Sequence, residues 1–223
     1  MIIPIMEVKE RILADNDKKA AETRRVLKEN GVVLVNLMGS PGAGKTASLL
    51  RLIYLLKDEL RIGVMEADVD SDVDAKAVAE AGAKVIQLHT GGLCHMDADM
   101  TAQGLEGLGL DGLDLVFLEN IGNLVCPAEF DVGADLRIMI LSVPEGDDKP
   151  LKYPLMFSVS DVMLVNKIDA APVFDFSFDK ASGRALALNP GLQIYPVSAR
   201  TGEGFDPIAN LIRQLCRERR PKL

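Results

Sequence analysis

Eight consecutive residues, Gly39-Ser40-Pro41-Gly42-Ala43-Gly44-Lys45-Thr46, match the spacing G-x-x-x-x-G-K-[ST]. Glycines at these positions let successive backbone N–H groups turn inward around phosphate oxygens, and a helix beginning at the lysine adds the positive end of its dipole. Lys45 would then reach the β- and γ-phosphates of a nucleotide, and Thr46 a Mg2+ ion. A glycine-rich turn can match this pattern by chance. Here it stands between a buried-strand run and a helix, which is the setting the chemistry needs.

Two short segments speak to the base. Asn166-Lys167-Ile168-Asp169 follows the apolar run 162–165, at the end of an expected strand. A carboxylate there can accept both the N1–H and the exocyclic amine of guanine, whereas adenine presents an acceptor at N1. Ser198-Ala199-Arg200 follows the last apolar run, where a backbone N–H can meet the guanine carbonyl. In this order, and each at a strand end, the pair favours GTP over ATP.

Carboxylates close the nucleotide set. The stretch Glu66-Ala-Asp-Val-Asp-Ser-Asp-Val-Asp74 follows another run. It can be a solvated loop or a helix N-cap at Ser71 or Asp72, but strand ends in an open α/β sheet face the ligand crevice. Carboxylates there hold Mg2+ or orient the attacking water. Asp68 and Asp74 are the candidates, and Asp70 and Asp72 are read as solvated. Glu119-Asn120-Ile121-Gly122 resembles an Asp-x-x-Gly switch with Glu in place of Asp: the carboxylate serves Mg2+ or its waters and the Gly122 backbone senses the γ-phosphate.

A second chemistry lies in the thiols. Cys94 and His95 are adjacent in Thr90-Gly-Gly-Leu-Cys-His-Met-Asp97, and Cys126 stands four residues beyond Gly122. Such a sheet can bring both loops to one edge of the nucleotide crevice. Two thiolates and one imidazole make three ligands, where structural zinc and square-planar nickel each take four. Asp97, Asp99, water or a second chain can supply the rest, and a symmetric dimer would pool six. The short count favours a transient or shared site for nickel or zinc. Cys216 extends a helical apolar stripe and is read as packed in the core, and His89 as the end of a strand.

These residues need a scaffold, and the apolar runs describe one. Runs at 32–38, 62–66, 84–89, 115–119, 137–143, 161–165 and 193–197 are too uniform for half-exposed strands and read as buried parallel ones. Helical stretches near 46–58, 72–81, 96–107, 150–158, 178–188 and 205–220 separate most of them. This alternation predicts an α/β fold: a central, mostly parallel sheet with helices on both faces, three layers in all. Residues 6–30 are mostly charged and read as one or two helices ending at Gly31. They are expected to form an N-terminal helical arm (1–30) ahead of a single nucleotide-binding domain (31–223).

Composition narrows the class. The 223 residues carry a formal charge of −8, with 48% hydrophobic and 26% charged residues. A nucleic-acid binder acting through its whole surface is normally basic, so that class is disfavoured. No apolar run approaches the ~20 residues of a membrane span, and the N-terminus lacks a signal-peptide pattern. Three cysteines without framework spacing fit a reducing cytoplasm.

Taken together, Gly39–Thr46, the Thr-Gly-Gly-Leu-Cys-His-Met-Asp-Ala segment, the run Glu-Asn-Ile-Gly-Asn-Leu-Val-Cys-Pro-Ala-Glu-Phe-Asp from Glu119 to Asp131, Glu-Gly-Asp-Asp-Lys-Pro-Leu-Lys-Tyr-Pro from Glu145 to Pro154, and Asn166–Asp169 resemble the HypB family. These are P-loop GTPases of the SIMIBI class that help deliver nickel to [NiFe]-hydrogenase. The resemblance runs from about residue 32 to the C-terminal helix, and its Cys-His and Asn-Leu-Val-Cys-Pro elements separate it from the related urease nickel GTPases. It implies a P-loop NTPase fold, GTP hydrolysis, Mg2+ near Asp68, Asp74 and Glu119, base recognition by Asp169, and metal ligation by Cys94, His95 and Cys126. It also implies GTP-linked homodimerisation, and partners among other maturation proteins and the hydrogenase large subunit. Some members carry a Cys- or His-rich nickel store at the N-terminus, but residues 1–31 contain neither residue type. Asp99 stands where some members have His. Delivery to urease and a small-molecule kinase are the competing functions. A kinase needs an acceptor pocket and an Arg-rich lid, of which the sequence shows no sign. Bulk metal storage is disfavoured by the three-ligand count. Since only Asn123-Leu124-Val125 separates Gly122 from Cys126, Cys126 is expected to move with the γ-phosphate while Cys94 and His95, on another loop, can stay.

Overall fold

A computed structural model describes residues 8–68 and 73–220. Asp70, Asp72 and the N-cap expected at Ser71 or Asp72 lie outside the described residues, as does the segment Met1–Met6. The seven expected strands all form: β1 (Val33–Gly39), β2 (Ile62–Asp68), β3 (Lys84–His89), β4 (Leu115–Glu119), β5 (Leu136–Ser142), β6 (Val162–Asn166) and β7 (Gln193–Pro196). They make one sheet in the order β3-β2-β4-β1-β5-β6-β7, and every pairing is parallel.

Alternation along each strand divides the core. On β1, Val33, Val35 and Leu37 point to one face, where they meet Leu49, Leu52, Ile53 and Leu56 of α2 (Lys45–Leu56) and Ile208, Ile212 and Cys216 of α9 (Asp206–Arg219). Leu34 points to the other face, against Leu27 of α1 (Val8–Glu29) and Leu105 and Leu108 of α4 (Ala98–Leu108). Farther along the same face, Met38, Met139 and Met163 pack on Met156 and Phe157 of α7 (Pro154–Val159) and Ala181 and Ala185 of α8 (Phe178–Leu188). The central strands are buried on both faces, so they read as unbroken apolar runs.

Residues 8–29, read from the sequence as part of an arm, bury Ala20, Thr23 and Leu27. The Asn16 amide donates to the Asp131 carbonyl and accepts from the Ala98 N–H, each at 2.9 Å, and Arg24 pairs with the Asp131 carboxylate at 2.7 Å. The helix expected over 150–158 is two, α6 (Lys149–Lys152) and α7, interrupted at Tyr153. Pro154 has no N–H to continue the first helix, and it disfavours helical backbone in the residue before it. A short helix that the sequence did not announce, α5 (Cys126–Glu129), begins at the second cysteine. The remaining helix, α3 (Val73–Glu80), carries Asp74 at its second position.

Because all strands run one way, their C-terminal ends lie along one edge. Gly39, Asp68, His89, Glu119 and Asn166 therefore open toward the same side of the sheet.

Candidate functional site

The phosphate loop leaves β1 at the centre of the sheet and enters α2 at Lys45. Gly44 has φ +96° and a Cβ there would collide with the Asn166 amide, so no other residue fits at the turn. Lys45 is nine-tenths buried, and its Nζ lies 3.5 Å from the Ser40 carbonyl, folded across the loop. The Thr46 hydroxyl donates to Glu119 Oε1 at 2.8 Å. An open cleft of about 660 Å³ runs over this loop, lined by Pro41, Gly42, Lys45, Thr46, Asp68, Glu119, Gly122 and Lys167 among others. A hydroxyl and a carboxylate in contact at the mouth of a phosphate loop form an oxygen-only donor set, and that fits Mg2+. Glu66, which the sequence reading took only as the start of an acidic stretch, is the register neighbour of Glu119 and is buried on the cleft wall.

The segments expected to read the base are tied to the phosphate loop by side chains. The Asn166 amide donates to the Ala43 carbonyl at 2.9 Å, and its oxygen accepts from the Ala199 N–H at 3.0 Å and the Lys167 N–H at 2.8 Å. Lys167 adopts left-handed backbone, φ 63°, which turns its Nζ onto the Gly42 carbonyl at 2.7 Å. The Ala199 N–H, one of those expected to meet the guanine carbonyl, is thus engaged by Asn166. Asp169 accepts from the Ser198 hydroxyl at 2.5 Å and from Arg200 Nε at 2.9 Å. The Ser198 hydroxyl holds the Asp169 carboxyl below the usual range against the opposing effect of burial, and the Arg200 charge adds to the lowering. It is therefore a carboxylate at neutral pH, as an acceptor of two guanine donors must be. Arg51, which no sequence signal marked, clamps this loop from α2 by bonds to the Ala199 and Arg200 carbonyls at 2.7 and 2.6 Å.

The thiols meet one loop away. Cys94 Sγ and Cys126 Sγ are 3.0 Å apart, and the ligand atoms of Cys94, His95 and Cys126 all lie within 4.8 Å of one another. His95 stacks on Phe130 with ring centres 4.0 Å apart. Burial lowers its pKa, opposed by Asp97 and Glu129, which favours the neutral imidazole that ligates a metal. The Cys126 thiol is pushed up, chiefly by its hydrogen bond with Cys94 and then by burial, while the Asn123 amide pulls it down. Asp97 and Asp99 are otherwise occupied: Asp97 caps α4 by accepting from the Met100 N–H at 2.8 Å, and Asp99 accepts from Gln103 at 2.7 Å. Cys216 is buried, and burial pushes its thiol up to about 12, so it stays a packed hydrophobe.

The sequence assigns no task to Asn120 or Asn123. The Asn120 side chain, fully buried, accepts from the Met96 N–H at 3.2 Å and from the Ile121 N–H at 2.9 Å. Asn123 donates from its amide to the Cys94 carbonyl at 3.2 Å. The bonds to Met96 and to Cys94 cross to a loop more than twenty residues away in the chain, so spacing held no hint of them.

A family model described as the CobW/HypB/UreG nucleotide-binding domain matches residues 33–196. A hydrogenase maturation factor HypB from Rhizobium leguminosarum bv. viciae is 48% identical over 91% of the chain. This chain belongs to the HypB family. It spans 68% of that relative's length, and 98% of a probable hydrogenase maturation factor HypB from Methanocaldococcus jannaschii, which is 38% identical over 97% of the chain. The crystal structure of HypB from Helicobacter pylori in complex with nickel superposes with a TM-score of 0.85 at 36% identity, covering 92% of this chain and 96% of that one. The three-layer parallel fold expected from the sequence is therefore that of a P-loop nucleotide-binding domain. No helix among the described residues is long and apolar enough to cross a membrane.

Proposed function

We propose that this chain is a GTP-hydrolysing metallochaperone that carries nickel or zinc and assists nickel insertion into [NiFe]-hydrogenase. The observation that carries the reading is the pairing of two sites: a phosphate-loop cleft, and a thiol–imidazole cluster reached from it along the segment Glu119–Cys126. Gly39–Thr46 cradle the phosphates, with Lys45 on the β- and γ-phosphates. Asn166, Lys167, Asp169, Ser198 and Ala199 shape the guanine site. Thr46, Asp68, Asp74 and Glu119 are the Mg2+ set. Bound there, Mg2+ neutralises charge on the phosphate oxygens. Asp68 or Asp74 orients the attacking water, and Gly122 reads the γ-phosphate.

The metal is cargo. Cys94, His95 and Cys126 supply three ligands, and two apolar neighbours of the ligands, Leu93 and Val125, are half exposed at 50% and 49%. A second copy laid over this edge would cover that surface and complete the coordination, which supports homodimerisation; its dependence on nucleotide is what the family resemblance implies. The nickel-bound relative favours nickel as the ion delivered. Other maturation proteins and the hydrogenase large subunit are the expected partners, in the cytoplasm.

The test is a sizing experiment with GDP and with a non-hydrolysable GTP analogue, each in the presence of nickel, followed by metal analysis of every peak. A dimer favoured by the analogue, with nickel in the protein peak, is expected. Monomer without metal in both states would overturn the reading.

A further inference from the structure

Asn123 sits where three parts of the site converge. Its backbone N–H donates to the carbonyl of Gly39, the first residue of the phosphate loop, at 3.1 Å. Its side-chain amide donates to the Cys94 carbonyl at 3.2 Å. Its side-chain oxygen accepts from the Val125 N–H at 2.9 Å, which shapes the turn into Cys126. One residue thus holds the Cys94 loop with one end of its carboxamide and the Cys126 turn with the other, while its backbone is fixed to the phosphate loop.

We propose that Asn123 is a positioning residue for the metal cluster, setting Cys94 and Cys126 against each other and referring both to the phosphate loop. Asn120 supports it from below, where its buried amide oxygen holds the Met96 N–H just past His95 and its amide nitrogen reaches Asn36 Oδ1 on β1 at 3.3 Å. The neighbour between them, Gly122, is pressed on Pro41 so closely that a Cβ would meet the proline nitrogen at 2.9 Å. Segment 120–123 therefore touches the phosphate loop at two points and the Cys94–His95 loop at two points. Movement of Cys126 while Cys94 and His95 stay would have to break these hydrogen bonds, so the geometry favours the two ligand loops shifting together. Groups that orient metal ligands from outside typically change metal affinity 10- to 100-fold when removed.

The proposal rests on the metal-binding reading above, and its test separates the two. Nickel alone is titrated into the full chain bound to GDP, following the nickel–thiolate charge-transfer absorbance, for wild type, Asn123→Ala and Asn123→Asp. The Asp variant keeps an acceptor for the Val125 N–H, so the turn survives in it, and it replaces the amide donor to the Cys94 carbonyl and the Cys126 sulfur with a carboxylate. Both variants are expected to retain GTP binding, because the bond to Gly39 is made by the backbone. Both should bind nickel about tenfold more weakly, with lower charge-transfer intensity at saturation because Cys94 and Cys126 no longer bind as a pair. Wild-type nickel affinity and intensity in Asn123→Asp would overturn the positioning role and leave the metal site standing. Absence of a nickel–thiolate band in wild type would overturn both.

Discussion

At the residue scale, the proposed choice of guanine rests on Asp169. Ser198 and Arg200 already hold its carboxylate, so in the proposed reading guanine donors would meet an acceptor kept ionised. A hydrogen bond to a charged group contributes about 1.5–3 kcal/mol. Asp169→Asn is expected to weaken GTP by roughly 10- to 100-fold and to improve xanthosine triphosphate, whose ring offers a carbonyl in place of the amine. Calorimetric titration of both nucleotides checks this, and unchanged GTP affinity would remove Asp169 from the base site.

At the element scale, two glycines should respond in opposite ways. Gly122 lies at the junction of the switch segment and the phosphate loop, where a Cβ would come within 3.0 Å of three Pro41 atoms. Overpacking of this kind costs roughly 1–3 kcal/mol, so Gly122→Ala should weaken GTP binding about tenfold. Gly183 stands inside α8 with nothing near the position of a Cβ. Gly183→Ala should raise the unfolding free energy by about 0.5–1 kcal/mol and leave nucleotide affinity alone. Urea unfolding and a fluorescent-nucleotide titration on both variants distinguish the two effects.

At the scale of the whole molecule, Asp114 closes the end of the sheet opposite the cleft. Its carboxylate accepts from the Arg61 N–H and guanidinium, each at 2.9 Å, and Arg220 from the end of α9 lies 3.4 Å away. The Arg61 hydrogen bond holds the Asp114 carboxyl below its ordinary value, against burial. A carboxyl whose folded pKa is depressed contributes stability that is present above the unfolded value, about 3.9, and is lost as pH falls through the folded one. Urea unfolding should therefore show Asp114→Asn less stable than wild type at pH 7, with the gap narrowing below pH 4. A gap that stays constant to pH 2 would show that the pair contributes through packing alone. The same scale holds the link between the two sites. By reciprocity, metal and nucleotide must shift each other's affinity if the ligand loops follow the phosphate state, by about 1–3 kcal/mol in typical coupled sites. Nickel titrations in GDP and in a GTP analogue should differ for wild type and agree for Cys126→Ala.

The fold and the phosphate-loop turn were legible in the sequence because their signals are local. A strand buried on both faces must be apolar throughout, so β1 and β4 announced themselves as unbroken runs, and the glycines of residues 39–44 carry the turn geometry in their own types. Cys94, His95 and Cys126 could be named as candidate ligands from their types together with their places after expected strand ends. Their meeting within 4.8 Å depended on β4 lying between β1 and β2, a long-range order that no spacing encodes. The tasks of Asn120, Asn123 and Arg51 were decided by the tertiary structure alone. An amide or a guanidinium finds its partner through space, and the carbonyls and N–H groups they hold belong to distant loops. The break at Tyr153 was the reverse case: Pro154 stood in plain view, and a continuous apolar rhythm hid a backbone that cannot stay helical across it.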